Sequence, residues 1–199
     1  MNESIVTDSE PELEAVGSAL AKSLNFGDII FLEGELGAGK TTVAQAAARC
    51  LRLKGVHPVV LDGDAVRDAV RDPHTGHDRV SRLANAYRIC RLAKLLADQG
   101  HLVLVATMSL FSEIHQWNRE QLPNYLEIYL KVDWESLVAR DARGLYSQFD
   151  QGNADNIAGL DLDFDEPSKP DLVLENQEPF VKPEKLAEKI LDHLQVIRN

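Results

Sequence analysis

The stretch LEGELGAGKTT, residues 32–42, constrains the fold of this chain more than any other. It fits the pattern G-x-x-x-x-G-K-[ST] through Gly34, Gly39, Lys40 and Thr41. It comes directly after an apolar run, DIIFLE, and directly before a helical pattern. In that context the glycines let backbone N–H groups surround phosphate oxygens at the positive end of a helix. The stretch therefore predicts a strand, a phosphate-binding loop and a helix, in that order.

The side chains of this loop have separate expected tasks on ATP. Lys40 is expected to reach the β and γ phosphates and to act in catalysis, and Thr41 to hold Mg²⁺ as the cofactor. The predicted ATP-binding residues are Gly34, Glu35, Leu36, Gly37, Ala38, Gly39, Lys40, Thr41 and Thr42.

The size and charge of the chain exclude several classes of protein. Its 199 residues, 44% of them apolar, suffice for one domain and leave little room for a second. A formal net charge of −11 argues against nucleic acid and anionic membrane surfaces as partners. No window approaches the roughly 18 apolar residues of a membrane helix, and the acidic start is unlike a secretion signal. We therefore expect a cytoplasmic protein.

Short apolar runs alternate with longer helical patterns along the chain. The predicted strands are 28–33, 57–61, 102–107, 125–132 and 171–175. The predicted helices lie near 10–24, 40–54, 79–99, 112–121, 134–141 and 183–197. This alternation is typical of a parallel sheet that is covered by helices on both faces. The predicted fold is therefore an α/β P-loop NTPase with a five-stranded parallel sheet.

Two segments lie outside this alternation. Residues 142–170 are rich in Gly, Asp, Asn and Pro and lack apolar periodicity. A loop of that length in a compact domain is usually functional or disordered, and its functional form is a lid over the site. Residues 1–27 are expected to form an N-terminal helical extension of the single domain 1–199.

Two aspartates follow the second predicted strand, in VVLDGDAVR. Asp62 and Asp64 flank Gly63 at the carboxyl edge of the sheet, where open α/β folds bind ligands. We assign Asp62 to Mg²⁺ and Asp64 to an acceptor hydroxyl, whose proton must leave as a phosphoryl group arrives. The alternative is that Asp64 only caps the helix that begins at Ala65. The pair favours a kinase over a switch-like ATPase.

Basic side chains cluster after this pair, although the chain as a whole is acidic. Arg67 comes one helical turn after Asp64 and could grip a phosphate or sulfate with two nitrogens. Arg79 is expected to serve the same cleft. Arg143, at the start of the predicted lid, is expected to reach the transferring phosphoryl group as a catalytic residue. A surface ion pair within ARDAR is the alternative for Arg143.

From Val59 to about Asn176 the chain resembles the adenylylsulfate kinases. The matching stretches, in the family's order, are LDGDAVR, GHDRVSRLANAYRICRLAKLLADQG, ATMSLF, ARDARGLY and NIAGLDLDFDEPSKPDLVLEN. The resemblance implies a nucleoside-monophosphate-kinase-like fold and transfer of the γ-phosphate of ATP to a hydroxyl of adenylylsulfate, commonly by a homodimer. It also implies an acceptor site lined by Asp64, Arg67, His74, Arg79, Arg82, Ser109, Leu110 and Phe111.

Several acceptor positions depart from the family's pattern. His74 falls near an aromatic residue of the family, Arg82 replaces an asparagine, and Leu110 and Phe111 replace a Pro-Tyr pair. Residues 109–132 are similar to a branch of the family found in surface-polysaccharide pathways, whose members include kinases of cytidine diphosphoramidate. The charged fork of Arg82 would suit a more anionic or differently shaped acceptor than a neutral amide does. The expected acceptor is a small anionic nucleotide-linked molecule of one of these two types.

The front of the chain favours a second interpretation. Residues 8–42 resemble the small bacterial ATPase that assists tRNA threonylcarbamoyladenosine synthesis, which shares the leading helix, the GD pair and LGAGKTT. The threonine-rich switch segment of that family does not follow, and the DGD stretch, the arginines and the lid pattern stand in its place. A third interpretation, nucleotide binding without catalysis, would leave Asp64 and the lid without a task.

Overall fold

The structure is a computed structural model, which describes residues 4–6, 26–53, 55–70, 76, 78–140, 144–152, 160 and 164–175. Its sheet consists of the parallel strands β1 (Ser4–Val6), β2 (Ile29–Gly34), β3 (Val59–Asp62), β4 (Val103–Ala106), β5 (Tyr125–Lys131) and β6 (Leu172–Glu175). The five predicted strands are confirmed, with ends that differ by one or two residues. The short β1 is an addition to the prediction and pairs with β6 at one edge of the sheet.

The helices that the structure describes are α1 (Lys40–Leu53), α2 (Gly63–Val70), α3 (Arg79–Ala97), α4 (Ser112–Gln121), α5 (Trp134–Arg140) and α6 (Leu145–Asp150). Four of them match the predicted helices that follow strands or loops at 40–54, 79–99, 112–121 and 134–141. The predicted helices near 10–24 and 183–197 lie outside the described residues. None of the helices described is long and apolar enough to cross a membrane.

The strand order places the glycine-rich loop at the centre of the sheet. The order is β1-β6-β5-β2-β4-β3, so β2 lies between β5 and β4. After β2 the chain builds β3 and β4 on one side and then crosses to β5 on the other. Such a reversal opens a crevice at the carboxyl ends of the strands, where α/β proteins bind ligands. The loop that follows β2 opens into this crevice.

Strand β2 is buried on both faces because its side chains alternate between two apolar clusters. Ile30 and Leu32 pack with residues of α1, whereas Ile29 and Phe31 pack with residues of α3 and α4. Each fully buried aliphatic side chain contributes about 1.5–3 kcal/mol relative to an exposed one. This packing holds the carboxyl end of β2, and therefore the loop after it, in a fixed position.

The predicted lid, residues 142–170, contains structure of its own. Helix α6 occupies Leu145–Asp150, and residues 164–171 form an irregular segment that we call the strap. At one end of the strap, the N–H of Asp165 donates to the carbonyl of Leu110 over 2.9 Å. The described part of 142–170 is thus built into the domain, and closure of a lid over the site stays a prediction.

Arg119 of α4 anchors the other end of the strap. Its guanidinium pairs with Asp171 over 2.8 Å and with Glu127 of β5 over 3.1 Å, and it lies 5.0 Å from the centre of the Tyr125 ring. Glu127 is buried, and a buried carboxylate is strongly destabilising when its partner is missing. Arg119 therefore joins α4, β5 and the strap.

Candidate active site

The glycines of the loop after β2 adopt conformations that other residues rarely take. Gly34, Gly37 and Gly39 have φ angles of +151°, +85° and +94°. A Cβ atom on Gly34 would also lie 2.5 Å from the carbonyl oxygen of Leu130 on β5, too close for any side chain. Helix α1 begins at Lys40, so its unpaired N–H groups face the loop. The arrangement is that of a phosphate-binding loop.

Lys40 closes this loop on itself. Its ammonium group donates to the carbonyl of Gly34 over 2.9 Å and to that of Glu35 over 2.7 Å. Burial lowers the pKa of Lys40 to about 8, although the nearby carboxylates of Glu33 and Glu35 act in the opposite direction. A buried ammonium group is attracted more strongly by a phosphate than a fully hydrated one is. Lys40 therefore lies inside the loop, and its contact with the β and γ phosphates stays a prediction.

Thr41 and Asp62 meet where a metal is expected. The Thr41 hydroxyl donates to one carboxylate oxygen of Asp62 over 2.9 Å. The other oxygen of Asp62 accepts from the N–H groups of Asp64 and Ala65 over 3.0 and 3.2 Å. The carboxylate that caps α2 is thus that of Asp62, and not that of Asp64. A hydroxyl and an oriented carboxylate are ligands that suit Mg²⁺ beside phosphates.

Asp64 projects from the first turn of α2 and pairs with Arg67. The distance between them is 3.1 Å, with 51% of the Asp64 side chain exposed and 19% of that of Arg67. The Nε of Arg67 is buried and has no hydrogen-bond partner among the described residues. Asp64 is therefore accessible to solvent, two residues after Asp62.

Arg79 lies at the junction of α3 and α4. Its guanidinium pairs with Glu113 over 3.2 Å and lies 5.1 Å from the centre of the Phe111 ring. The carboxylate of Asp78 accepts from the N–H of Ser81 over 3.0 Å and caps α3, which fixes the start of the helix. Arg82 lies on α3, one turn after Arg79, and its side chain is partly buried.

Three further predicted acceptor residues lie in the loop between β4 and α4. Ser109, Leu110 and Phe111 are all buried, with at most 3% of each residue exposed. The Phe111 ring packs in the apolar cluster that includes residues of α3, and the Arg79 guanidinium lies against this ring. His74 and Arg143 lie outside the described residues, and their predicted roles are not addressed by this geometry.

The donor loop, the oriented Asp62 and the exposed Asp64 thus lie close together at the carboxyl ends of β2 and β3. A model of the adenylylsulphate kinase family matches residues 26–175. The chain belongs to the adenylylsulfate kinase family. The resemblance of residues 59–176 to these kinases is thereby confirmed.

Relatives and solved structures place it more closely among these kinases. It is 43% identical over 148 residues to the cytidine diphosphoramidate kinase of Campylobacter jejuni, covering 74% of this chain and 85% of that one. It is 37% identical over 158 residues to a probable adenylyl-sulfate kinase of Bacillus subtilis, covering 78% and 79%. The solved Mycobacterium tuberculosis APS kinase in complex with AMPPNP and APS superposes with a TM-score of 0.74 at 30% identity, covering 86% and 99%.

These similarities decide between the interpretations of the glycine-rich loop. The adenylylsulfate kinase family member described here is an ATP-dependent kinase, a phosphotransferase with a P-loop of the predicted fold. None of the similarities supports the alternative of a tRNA-modification ATPase, which depended on residues 8–42 alone. The family model begins at residue 26 and continues through the aspartate pair and the strap.

Sequence reasoning missed two polar residues that shape the kinase site. Asp165 of the strap accepts from the N–H of Ser112 over 3.0 Å and so caps α4 from outside the helix. This hydrogen bond lowers the pKa of Asp165. Nothing in the stretch DLDFDEPSKP marked this carboxylate among its neighbours.

The second missed residue is Glu33, the last side chain of β2 before Gly34. Its carboxyl group is fully buried and accepts from the N–H of Ser109 over 3.0 Å. Burial raises the pKa of Glu33 to about 8, although this hydrogen bond acts in the opposite direction. The signal was present, since IIFLEG places an acidic residue inside an otherwise apolar strand.

Proposed function

We propose that this kinase transfers the γ-phosphate of ATP to a hydroxyl of a small anionic nucleotide-linked acceptor, of the cytidine diphosphoramidate or adenylylsulfate type. The observation that carries the proposal is the turn at residues 62–64. Asp62 contacts Thr41 of the donor loop, and the exposed Asp64 follows only two residues later. Donor and acceptor groups therefore meet at one turn.

On the donor side, the loop residues 34–42 would hold the phosphates of ATP. Lys40 would exchange its two carbonyl partners for phosphate oxygens. Their negative charge would favour the ammonium form and so oppose the effect of burial on the pKa of Lys40. Thr41 and Asp62 would hold Mg²⁺, whose chemistry when bound is to neutralise charge on the β and γ phosphates. Charge neutralisation and positioning are the main requirements of phosphoryl transfer.

On the acceptor side, Asp64 would accept the proton of the attacking hydroxyl. A general base must reach that proton directly or through one water, and the exposure of Asp64 allows this. Arg67, Arg79 and Arg82 would bind the anionic part of the acceptor, and Ser109, which is fully buried, would contribute by fixing the loop between β4 and α4. The predicted roles of His74 and of Arg143 belong to the same proposal.

The two named relatives and Arg82, which replaces an asparagine of the family, support the proposed type of acceptor. The relative at 43% identity is named a cytidine diphosphoramidate kinase, and the relative at 37% a probable adenylyl-sulfate kinase. Arg82 adds a positive fork beside Arg79 on the same helix. We therefore place cytidine diphosphoramidate first. A homodimeric state and a cytoplasmic location stay predictions.

The test is ADP release by the purified protein with ATP and Mg²⁺, in three parallel reactions. One contains cytidine diphosphoramidate, one contains adenylylsulfate and one contains no acceptor. We expect acceptor-dependent turnover with one of the two compounds and a larger kcat/KM for cytidine diphosphoramidate. ADP release that neither compound increases would contradict the proposed acceptor class. Omission of Mg²⁺ should remove the acceptor-dependent turnover, since Thr41 and Asp62 alone leave the phosphate charge uncompensated.

A further inference from the structure

The buried carboxyl group of Glu33 joins two loops that are far apart in sequence. Glu33 immediately precedes Gly34, the first glycine of the donor loop, and accepts from the N–H of Ser109, 76 residues later. Next to it, the N–H of Thr107 donates to the carbonyl of Leu32 over 3.3 Å. The end of β2 therefore holds the first part of the loop between β4 and α4 through a backbone and a side-chain bond.

These polar contacts continue towards Asp62 and Asp64. The Ser109 hydroxyl donates a hydrogen bond to the Thr107 hydroxyl over 3.1 Å. Thr107 in turn lies against Gly63, where an added Cβ would be 3.0 Å from the threonine hydroxyl oxygen. Gly63 separates Asp62 from Asp64. The end of β2, the loop after β4 and the start of α2 are thus in contact through Glu33, Ser109, Thr107 and Gly63.

Burial of Glu33 is unfavourable for stability. One of its two carboxyl oxygens has no hydrogen-bond partner among the described residues. Burial of a polar group without a partner costs about 1–3 kcal/mol in proteins, and an apolar side chain of similar volume would avoid this. A buried acid at the junction of two ligand loops is therefore better explained by a task in the site than by stability.

We propose that Glu33 is a positioning residue, which holds the Ser109 loop in register with the donor loop so that bound ATP and the acceptor side are coupled. Glu33 itself touches neither substrate, since it is fully buried. Its effect on the acceptor rests on the proposed function above, whereas its effect on the Ser109 loop does not.

The kinetic test compares Glu33→Leu with Glu33→Gln. Leucine removes the acceptor atom for the Ser109 N–H, and glutamine keeps a carbonyl oxygen there. We expect Glu33→Leu to raise KM for the nucleotide-linked acceptor about tenfold, as loss of one buried hydrogen bond implies, with KM for ATP changed less than about twofold. Glu33→Gln should restore KM for the acceptor to within about twofold of the wild type. Equal increases in both KM values, or no increase in either, would overturn the proposal.

Glu127→Gln is the matched control. Glu127 is also a buried glutamate and lies on the neighbouring strand β5, but its carboxylate binds Tyr125 and Arg119 away from the donor loop. We expect this variant to unfold at a lower temperature and to keep both KM values. A rise of KM for the acceptor in Glu127→Gln equal to that in Glu33→Leu would show that loss of any buried carboxyl group on this sheet has the effect, and would overturn the specific role of Glu33.

A second measurement needs no acceptor. In ¹⁵N-labelled protein, addition of AMPPNP should shift the amide resonance of Ser109 in the wild type and in Glu33→Gln. In Glu33→Leu the shift should fall to less than about half, and the Ser109 amide should exchange with solvent about tenfold faster, as the loss of its hydrogen bond implies. The same nucleotide-induced shift in Glu33→Leu as in the wild type would overturn the coupling. If the wild type shows no acceptor-dependent turnover, the proposed function fails, and this amide measurement still decides the role of Glu33.

Discussion

The donor and acceptor sides of this kinase differ in how their residues are gathered. The donor side is one run of consecutive residues, 34–42, which comprises the last residue of β2, the loop 35–39 and the start of α1. The acceptor side draws on α2, on α3 and on the loop before α4, and the N–H of one of its residues is held by Glu33 from β2. A substitution on the donor side should therefore act locally, whereas one on the acceptor side should act through contacts between elements.

The largest effect is expected for Gly34→Ala, on the donor side. The new Cβ would lie 2.5 Å from the Leu130 carbonyl, and the φ of +151° is already strained for alanine. Overpacking against backbone and a disallowed φ each cost about 1–3 kcal/mol, so we expect the free energy of unfolding to fall by about 3 kcal/mol and ATP binding to be lost. Thermal unfolding and binding of a fluorescent ATP analogue measure these effects.

Gly37→Ala is the control for this prediction. Gly37 also has a positive φ, +85°, but the nearest atom to its added Cβ is a leucine methyl of Leu137 at 3.7 Å. We expect a loss of only about 1 kcal/mol, from backbone strain alone. If both variants lose the same stability, the close approach of β5 does not explain the glycine at position 34.

The second effect concerns two aspartates that are separated by one residue. Asp64→Asn should lower acceptor-dependent turnover about 100-fold or more, as loss of a general base implies, and leave ATP binding unchanged. Asp62→Asn should instead weaken binding of Mg²⁺–ATP, because Asp62 contacts Thr41. Turnover and nucleotide affinity of the two variants, measured side by side, separate the two roles. Intact turnover in Asp64→Asn would mean that Asp64 is not the general base of the reaction.

The sequence predicted the donor side better than the acceptor side, because the donor side is a local pattern and the acceptor side depends on contacts between distant elements. The donor loop is a local pattern, so Gly34, Lys40 and Thr41 could be placed from spacing alone. The sequence did not show that Asp62, and not Asp64, caps α2. The Asp62 carboxylate is oriented by its contact with Thr41, which is 21 residues away in the chain. Glu33 and Ser109 are 76 residues apart, and no local pattern links them. The strap was predicted only as part of a loop, because its anchor, Arg119, lies on another element.

A third effect is a pH dependence of stability that comes from Glu33. Its pKa is about 8 in the folded protein against an ordinary value of 4.5, so between these values the folded state holds a proton that the unfolded chain has released. Stability must then fall as the pH rises through this window. Glu33→Gln removes the dependence. We expect its unfolding temperature to equal that of the wild type near pH 4.5 and to exceed it by at least about 5 °C at pH 8.

Lys40 provides the contrast for this pH profile. Its pKa is lowered to about 8 from 10.5, so it changes stability above pH 8 and with the opposite sign. Lys40→Met should therefore leave the slope between pH 4.5 and pH 8 in place. Unfolding temperatures at intervals of half a pH unit distinguish the two residues. A profile of Glu33→Gln parallel to that of the wild type would show that Glu33 is ionised in the folded protein.

The smallest effect is expected at Gly63, where the two sides meet. An added Cβ would lie 3.0 Å from the Thr107 hydroxyl oxygen, a contact that must give by a few tenths of an ångström. The φ of Gly63 is not positive, and alanine favours the helix, so stability should change by less than about 1 kcal/mol. Because Thr107 lies beside Ser109, we expect KM for the acceptor to rise about threefold, consistent with a contact energy below 1 kcal/mol.

A double-mutant cycle with Thr107→Ala tests whether that rise travels through this contact. Removal of the hydroxyl leaves space for the new methyl group, so the combined variant should have a KM for the acceptor lower than the product of the two single effects predicts. KM for ATP should stay constant around the cycle, because neither Gly63 nor Thr107 belongs to the run 34–42. If Gly63→Ala alters KM for ATP as much as KM for the acceptor, the turn between Asp62 and Asp64 moves as a unit. The donor and acceptor sides would then be one mechanical element, and the local character inferred for the donor loop would be wrong.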